Sequence, residues 1–384
     1  MRLLHVFAGP FPTAQGTQVL VGQICRLLAR AGHDVHLLSY AHLKGEAHEP
    51  FEIHRIPDRP SFSSERSGPA WQKPVLDLSL ALRARSLARS LRPHIVHAHH
   101  CEALAAARLA DPGSRTPLVF HAHALLGPEL ATYLDPRLEA PAALAGGLID
   151  RFLPRFADRV AAVSDFVADA CAAAGVPRSC IEVVRPHAEL PGIPRDVEAR
   201  APGRLRAIYA GNLDRYQGVE ELCRGLSLLD RASRDLLEIL FVTDSKSDGL
   251  VSLLRRLGLE DFASVRPHGE PARALGLMAS ADIALVPRLL PGGAPIKLVN
   301  ALALGLPVIV DRAVAEGLEH GREAFLVHMR DPAEVASAVA VLAHDARLRE
   351  RLSAGALAAA RRLHDPATVL ATLERIYSHS AFGI

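Results

Sequence analysis

Lys297 and Asn300 are the only side chains able to do chemistry in the stretch GGAPIKLVNALALGLPVIV, residues 292–310. Three residues apart, they share one face if the stretch is helical. A Gly/Pro loop precedes them, and Gly305 closes the segment before the strand-like PVIV. Backbone N–H groups at such a helix start suit phosphate oxygens, with Lys297 adding charge. Asn300, one turn further in, suits hydroxyl groups. Taken alone, the stretch reads better as a surface lysine and a locally bonded asparagine.

Two further constellations sit where strands should end. In AIYAGNLDRYQGVEEL, Gly211 and Gly218 bracket Asn212, Asp214, Arg215 and Gln217, a polar loop able to grip an anionic ligand. Histidines crowd two other strand ends: His97, His99 and His100 in HIVHAHH, and His121 and His123 in VFHAH. Alternation puts His97 with His99, and His121 with His123, on one side of their strands. Such HxH pairs can bind zinc, but few carboxylates accompany them. The reading preferred for them is partly buried hydrogen bonders, with one facing a ligand. Near the N-terminus, AGPFPTAQGTQ places Gly16 and Thr17 at a loop-to-helix junction, where backbone can approach an anion.

The elements that must carry these residues alternate strand-length apolar runs with helical periodicity, the pattern of a parallel βα sheet. RLLHVF, DVHLLSY, HIVHA, PLVFHA and RVAAVS form one series. LRAIYA, EILFV, ASVRP, DIALVP, PVIV and AFLVH form a second. PGIPRDVEARAPG, residues 191–203, reads as a linker between them. Asp331, Pro332 and Glu334 in DPAEVASAV spell a helix start with a capping box. The expectation is an α/β protein of two doubly wound Rossmann-like domains facing a cleft. The first spans 1–190 and the second 204–365, with a final helix over 366–384 crossing back to the first.

Composition narrows the class. The chain has 384 residues, 49% of them hydrophobic and a formal charge of +2. That length suits two domains, and the balanced charge argues against an extended nucleic-acid footprint. No run approaches the length of a membrane span, and the N-terminal apolar run is too short for a signal peptide. Five scattered cysteines without a CxxC pair suit a reducing cytoplasm.

Eight segments in order resemble the retaining glycosyltransferases of the two-Rossmann-domain type, GT-B, sequence family 4. They are LLARAGHDVHLLS, RPHIVHAHH, PLVFHAH, FADRVAAVSDFVADACAAAGVP, YAGNLDRYQGVEEL, MASADIALVPR, PIKLVNALALGLPVIV and GREAFLV with DPAEVASAV. The resemblance implies a nucleoside-diphosphate sugar donor, UDP- or GDP-linked, held mainly on the second domain. It implies no metal, and a glycan, lipid or small-molecule acceptor on the first domain. By position it makes His123 the histidine that touches the sugar and Gly16 the glycine that reaches the phosphates. It puts the donor against Asn212, Arg215, Gln217, Gly218, Arg288, Lys297 and Asn300, and against the backbone of Gly292, Gly293, Ala294, Pro295 and Ile296.

Four positions depart from the family pattern. Asn212 stands for its arginine, Gln217 for its lysine, Asn300 for its ribose glutamate and Gly292 for its earlier glutamate. Two positive and two negative charges vanish together, a coherent change because an isolated buried charge is costly. Arg215, Arg288 and Lys297 then become the cations for the diphosphate, with His123, Lys297 and Arg215 the candidate catalytic residues. The rival readings are a catalytically silent nucleotide-binding or scaffold protein of this fold, and a metal-dependent hydrolase using the HxH pairs. VLDLSLALRARSLARSLR, with Arg83, Arg85, Arg89 and Arg92, adds an expectation of peripheral contact at the inner membrane face.

Overall fold

The computed structural model describes residues 1–13, 16–41, 48–57, 72–111, 113, 116–190, 203–267, 269–291, 293 and 295–382. They form two units. One is Met1–Pro186 with the chain from Pro366 onward, and the other is His187–Pro291 with Pro295–Asp365. All but one residue of the expected linker at 191–203 falls outside the described residues.

The first unit holds a seven-stranded sheet. Its strands are β1 (Arg2–Pro10), β2 (Asp34–Tyr40), β3 (Glu52–Arg55), β4 (Ile95–His99), β5 (Leu118–Ala122), β6 (Arg159–Ala162) and β7 (Ile181–Val183). They pair in parallel in the order β3-β2-β1-β4-β5-β6-β7. The second unit has β8 (Leu205–Ala210), β9 (Leu237–Val242), β10 (Ala263–Arg266), β11 (Ile283–Val286), β12 (Val308–Asp311) and β13 (Phe325–Val327). These are also parallel, in the order β10-β9-β8-β11-β12-β13. Each order reverses once, between β1 and β4 and between β8 and β11. In open parallel sheets, ligands bind beyond the strand carboxyl ends at such a reversal.

The apolar runs became strands because helices cover both sheet faces and an interior strand must be apolar throughout. Leu3, Leu4, Val6, Ile95, Val119 and Val160 are fully buried in the first unit, as are Ala207, Tyr209, Ile239, Val308 and Ile309 in the second. The last helix, Pro366–Phe382, packs on β4, β5, β6 and β7 through Val369, Leu373, Ile376 and Tyr377. The helix Lys73–Leu91 buries Leu76, Leu80, Ala81, Ala84 and Leu87, and leaves Arg83, Arg85 and Arg89 exposed. Its apolar stripe therefore belongs to the core. Among the described residues, no helix is long and apolar enough to cross a membrane.

Two strands lack a sequence signal. EIHR (β3) and IEV (β7) are short, charged sheet edges, which carry no apolar run because one side meets solvent. The capping box at Asp331 is only half formed. Asp331 Oδ1 accepts from the backbone of Ala333 and Glu334. The Glu334 carboxylate instead takes both the backbone N–H and the ring of His328, with Arg312 close by.

Candidate active site

Lys297 is the second residue of the helix Ile296–Ala303, and its side chain reaches the carboxyl end of β8. Nζ donates to Gln217 Oε1 at 2.7 Å and to the Tyr209 phenol oxygen at 3.1 Å. It also lies 4.1 Å from the centroid of the Tyr209 ring, close enough for a cation–π contact. The Tyr209 hydroxyl in turn donates a hydrogen bond to the carbonyl of Asn212. Gly211 makes room for this arrangement, since a Cβ there would lie 2.6 Å from Nζ. Gly218 is required as well. At φ +68° it ends the turn Arg215–Gln217, and a Cβ would fall 2.1 Å from the Pro287 carbonyl oxygen.

Desolvation is the largest influence on Lys297. The Arg288 guanidinium adds to it, Asp214 partly opposes it, and the ammonium is held well below the ordinary lysine range. Arg288 is half-buried, stacks over the Tyr216 ring and donates to the Leu290 carbonyl. Arg215 stands exposed at the start of its turn. Asn300, one turn beyond Lys297, is half-buried, and its buried Oδ1 has no hydrogen-bond partner. Such an oxygen is costly unless something donates to it. The Asn212 side chain accepts from the backbone of Asp214 at 3.4 Å. Pro295 is buried at the cap position of the Lys297 helix, and Ile296 is the first residue of that helix. Gly293 is half-buried, whereas Gly292 and Ala294 fall outside the described residues.

In the first unit Gly16 and Thr17 open the helix Gly16–Arg30, Gly16 exposed and Thr17 half-buried. The histidines there form two hydrogen-bonded files across the β1/β4 reversal. One runs from the Tyr377 hydroxyl to His97 Nδ1 at 2.6 Å, then from His97 Nε2 to His121 Nδ1 at 3.1 Å. The other runs from His5 Nδ1 to His99 Nε2 at 2.9 Å, then from His99 Nδ1 to His123 Nε2 at 2.9 Å. The rings stack between files, His97 on His99 with centroids 4.7 Å apart and His121 on His123 at 4.4 Å.

All five imidazoles are buried, and burial holds them neutral. His5 and His121 are pushed down to about 3, and His97, His99 and His123 lie well below the usual range. A neutral imidazole carries one N–H and one lone pair. Every bond in a file must therefore point the same way, so the proton on His5 decides which His123 nitrogen carries hydrogen. The far ends, His123 Nδ1, His121 Nε2 and His5 Nε2, are buried without a partner. His123 Nδ1, just past the end of β5, is thus a buried polar atom whose role as donor or acceptor is set through the file, and leaving it unmet is costly.

Three of these participants went unread in the sequence: His5, Tyr377 and Tyr209. His5 carried a signal, being the one polar residue inside the apolar run that follows Arg2 in RLLHVF. Its meaning depended on strand order, which sets His5 beside His97. Tyr209 and Tyr377 looked like ordinary core aromatics. Beside the files, Glu102 is half-buried; desolvation would raise its carboxyl, yet Lys73 and His100 hold it down at about 2. Lys73 Nζ lies 3.1 Å from it.

Comparison with known proteins agrees with this fold. The profile of Glycosyltransferase Family 4 matches residues 14–188, and that of Glycosyl transferases group 1 matches 204–345. The chain belongs to glycosyltransferase family 4 and has the GT-B fold of two Rossmann-like domains. It is 26% identical over 275 residues to the D-inositol 3-phosphate glycosyltransferase of Nocardia farcinica, covering 67% of this chain and 60% of that one. It is 30% identical over 146 residues to the MMP alpha-(1->4)-mannosyltransferase of Mycolicibacterium hassiacum, covering 38% and 34%. The matches thus span between about a third and three fifths of these curated relatives. Among solved structures, sucrose-phosphate synthase from Thermosynechococcus elongatus superposes with a TM-score of 0.80 at 15% identity, covering 99% of both chains. Anabaena HepE in complex with UDP-glucose gives 0.72 at 18% identity, covering 98% of this chain and 99% of that one.

Proposed function

We propose that this chain transfers a sugar from a nucleoside-diphosphate sugar, UDP- or GDP-linked, to a hydroxyl of a glycan, lipid or small-molecule acceptor, with retention at the anomeric carbon. The observation that carries this reading is the Lys297 ammonium, desolvated and held by Gln217 and Tyr209 at the β8/β11 reversal. It is a pre-positioned amine beside Arg288 at the place where a parallel sheet receives phosphate, and an anion there favours its charged form. The HepE complexes with UDP and UDP-glucose support a nucleotide-sugar donor.

In the transfer, the bond from the anomeric carbon to the diphosphate oxygen breaks, and charge grows on the leaving phosphate. Lys297 and Arg288 stabilise that charge, with the first-turn N–H groups of the Lys297 helix. Arg215 joins them from its exposed turn. Asn300 Oδ1 accepts from a donor hydroxyl. His123 Nδ1 meets the sugar beside the cationic anomeric carbon, where a neutral imidazole adds no opposing charge. The leaving oxygen takes the acceptor's proton as the new bond forms on the same face, so no side-chain base and no metal enters the step. Acceptor docking on the first unit includes peripheral contact with anionic lipid through the exposed Arg83, Arg85 and Arg89. Co-sedimentation with anionic vesicles that survives their replacement by glutamate would remove that element.

The test is a panel of UDP-, GDP-, dTDP- and ADP-sugars scored by thermal shift, nucleotide release and the anomeric configuration of the product. A stabilising donor that turns over with retention supports the reading. Binding without turnover on any acceptor points to the silent nucleotide-binding alternative, which the replaced positions 212, 217 and 300 favour. No shift with any nucleotide overturns both.

A further inference from the structure

At the outer edge of the first sheet, β2 and β3 pair with His36 opposite Glu52 and Leu38 opposite His54. Side chains alternate along a strand, so His36, Glu52 and His54 share one face. Their polar atoms converge on a point. His36 Nδ1 lies 3.1 Å from His54 Nε2 and 3.2 Å from Glu52 Oε2, and His54 Nε2 lies 3.5 Å from the other Glu52 oxygen. A tetrahedral zinc with ligands at about 2.0–2.2 Å spaces those ligands roughly 3.3 Å apart, close to the 3.1 Å between the two ring nitrogens and the 3.2 Å from His36 Nδ1 to Glu52 Oε2.

The surroundings suit an ion. His36 Nε2 faces Asp34 Oδ1 at 3.1 Å, while Arg2 Nε holds the other Asp34 oxygen at 2.7 Å. A carboxylate behind a metal-bound imidazole fixes its tautomer and orientation. His36 is buried and its Nε2 has no aligned hydrogen bond, so a small ring rotation toward Asp34 completes the pair. The Glu52 side chain is 63% exposed, which leaves an entry path from solvent and a free coordination position.

The interior imidazoles His97, His99 and His121 also bring three nitrogens together. They are sealed from solvent, and His97 and His99 already bond Tyr377, His5 and His123 outside the trio. Three neutral ligands would leave a buried dication unbalanced, which is costly.

We propose that His36, Glu52 and His54 bind a divalent late first-row transition ion, Zn2+ by donor chemistry, with Asp34 orienting His36. The ion clamps the four-residue edge strand β3 to β2 and takes no part in sugar transfer. This goes beyond the transferase reading and stands without it.

The test uses the untagged full chain, stripped by chelation and titrated with Co2+ and then Zn2+. The expected result is one equivalent of Co2+ with the d–d absorption of a four-coordinate ion and no thiolate charge-transfer band. Zn2+ should displace it and raise the Tm. Glu52→Gln, at an exposed side chain, and His54→Gln should each weaken binding by at least roughly tenfold, and Asp34→Asn should weaken it less. Nucleotide binding should be unchanged in all three. No cobalt spectrum in the wild type, or an undiminished one in folded Glu52→Gln, overturns the proposal. The second outcome would move the ion to the interior histidines.

Discussion

Lys297 Nζ rests 2.7 Å from Gln217 Oε1, across 80 residues of sequence. The family pattern places a lysine at position 217. Here the amide stands at that position and the cation comes from the facing helix. In the proposed site the amine thus faces the amide from across the loop, and Gly211 keeps the path open for it.

That exchange predicts the behaviour of three variants. Lys297→Ala should cost about 2 kcal/mol of nucleoside-diphosphate affinity, roughly thirtyfold, as expected for hydrogen bonds to a charged group. Its Tm should hold or rise, because a desolvated amine is gone. Gln217→Lys alone should lower the Tm by setting two ammonium groups side by side. The double exchange Gln217→Lys with Lys297→Gln should recover much of the affinity. Calorimetric titration and thermal melts decide it, and unchanged affinity in Lys297→Ala removes Lys297 from the site.

Nucleotide binding should take up protons. Lys297 lies well below the ordinary lysine range when the site is empty, and a diphosphate beside it favours the charged amine. Titrations in buffers of different ionisation enthalpy should show positive proton uptake above the lowered pKa, and less of it in Lys297→Ala. The same shift has a stability sign. Between the folded value and the unfolded value near 10.4, the unfolded chain binds more protons, so this group makes stability rise with pH there.

The histidine files make the first unit sensitive to acid. For His5 and His121, folded at about 3 against an unfolded value near 6.5, the folded state is unaffected above pH 6.5 and loses stability as pH falls toward 3. At about pH 5 each contributes a loss of roughly 2 kcal/mol. The Tm should therefore fall steeply below about pH 6. His121→Gln, which does not titrate, should flatten that fall. A melt profile level from pH 7 to 5 would show these imidazoles to be solvated.

His99 should act on His123 from behind. His99→Gln keeps the ring-sized space but breaks the directional file that assigns hydrogen on His123. Its expected mark is a fall in kcat of about tenfold or more with KM for the donor little changed, and 15N shifts of His123 should reveal mixed tautomers. His123→Ala should cost more, because it removes the proposed sugar contact itself. Equal loss in KM for His99→Gln would point to simple unfolding of the site.

Both parallel sheets and the final helix were legible, though not the order of their strands, because an interior strand must be continuously apolar and helices must repeat near every 3.6 residues. RLLHVF, PLVFHA and PVIV announce themselves in that way, and the Gly/Pro loop marks the start of the Lys297 helix. The edge strand EIHR did not, since an edge carries no such pattern, and with it the His36, Glu52 and His54 cluster stayed hidden.

The sequence by itself determined which residues stand at strand ends, because periodicity and loop glycines are local properties. Only the tertiary structure decided their partners. Lys297 was free to be a surface lysine until β8 and β11 became neighbours and set it against Gln217 and Tyr209. His5 was one polar residue in an apolar strand until the order β1-β4-β5 made it the far end of the file that reaches His123. Hydrogen bonds between residues 80 or 94 positions apart depend on which strands lie side by side, and that is a property of the packed sheet.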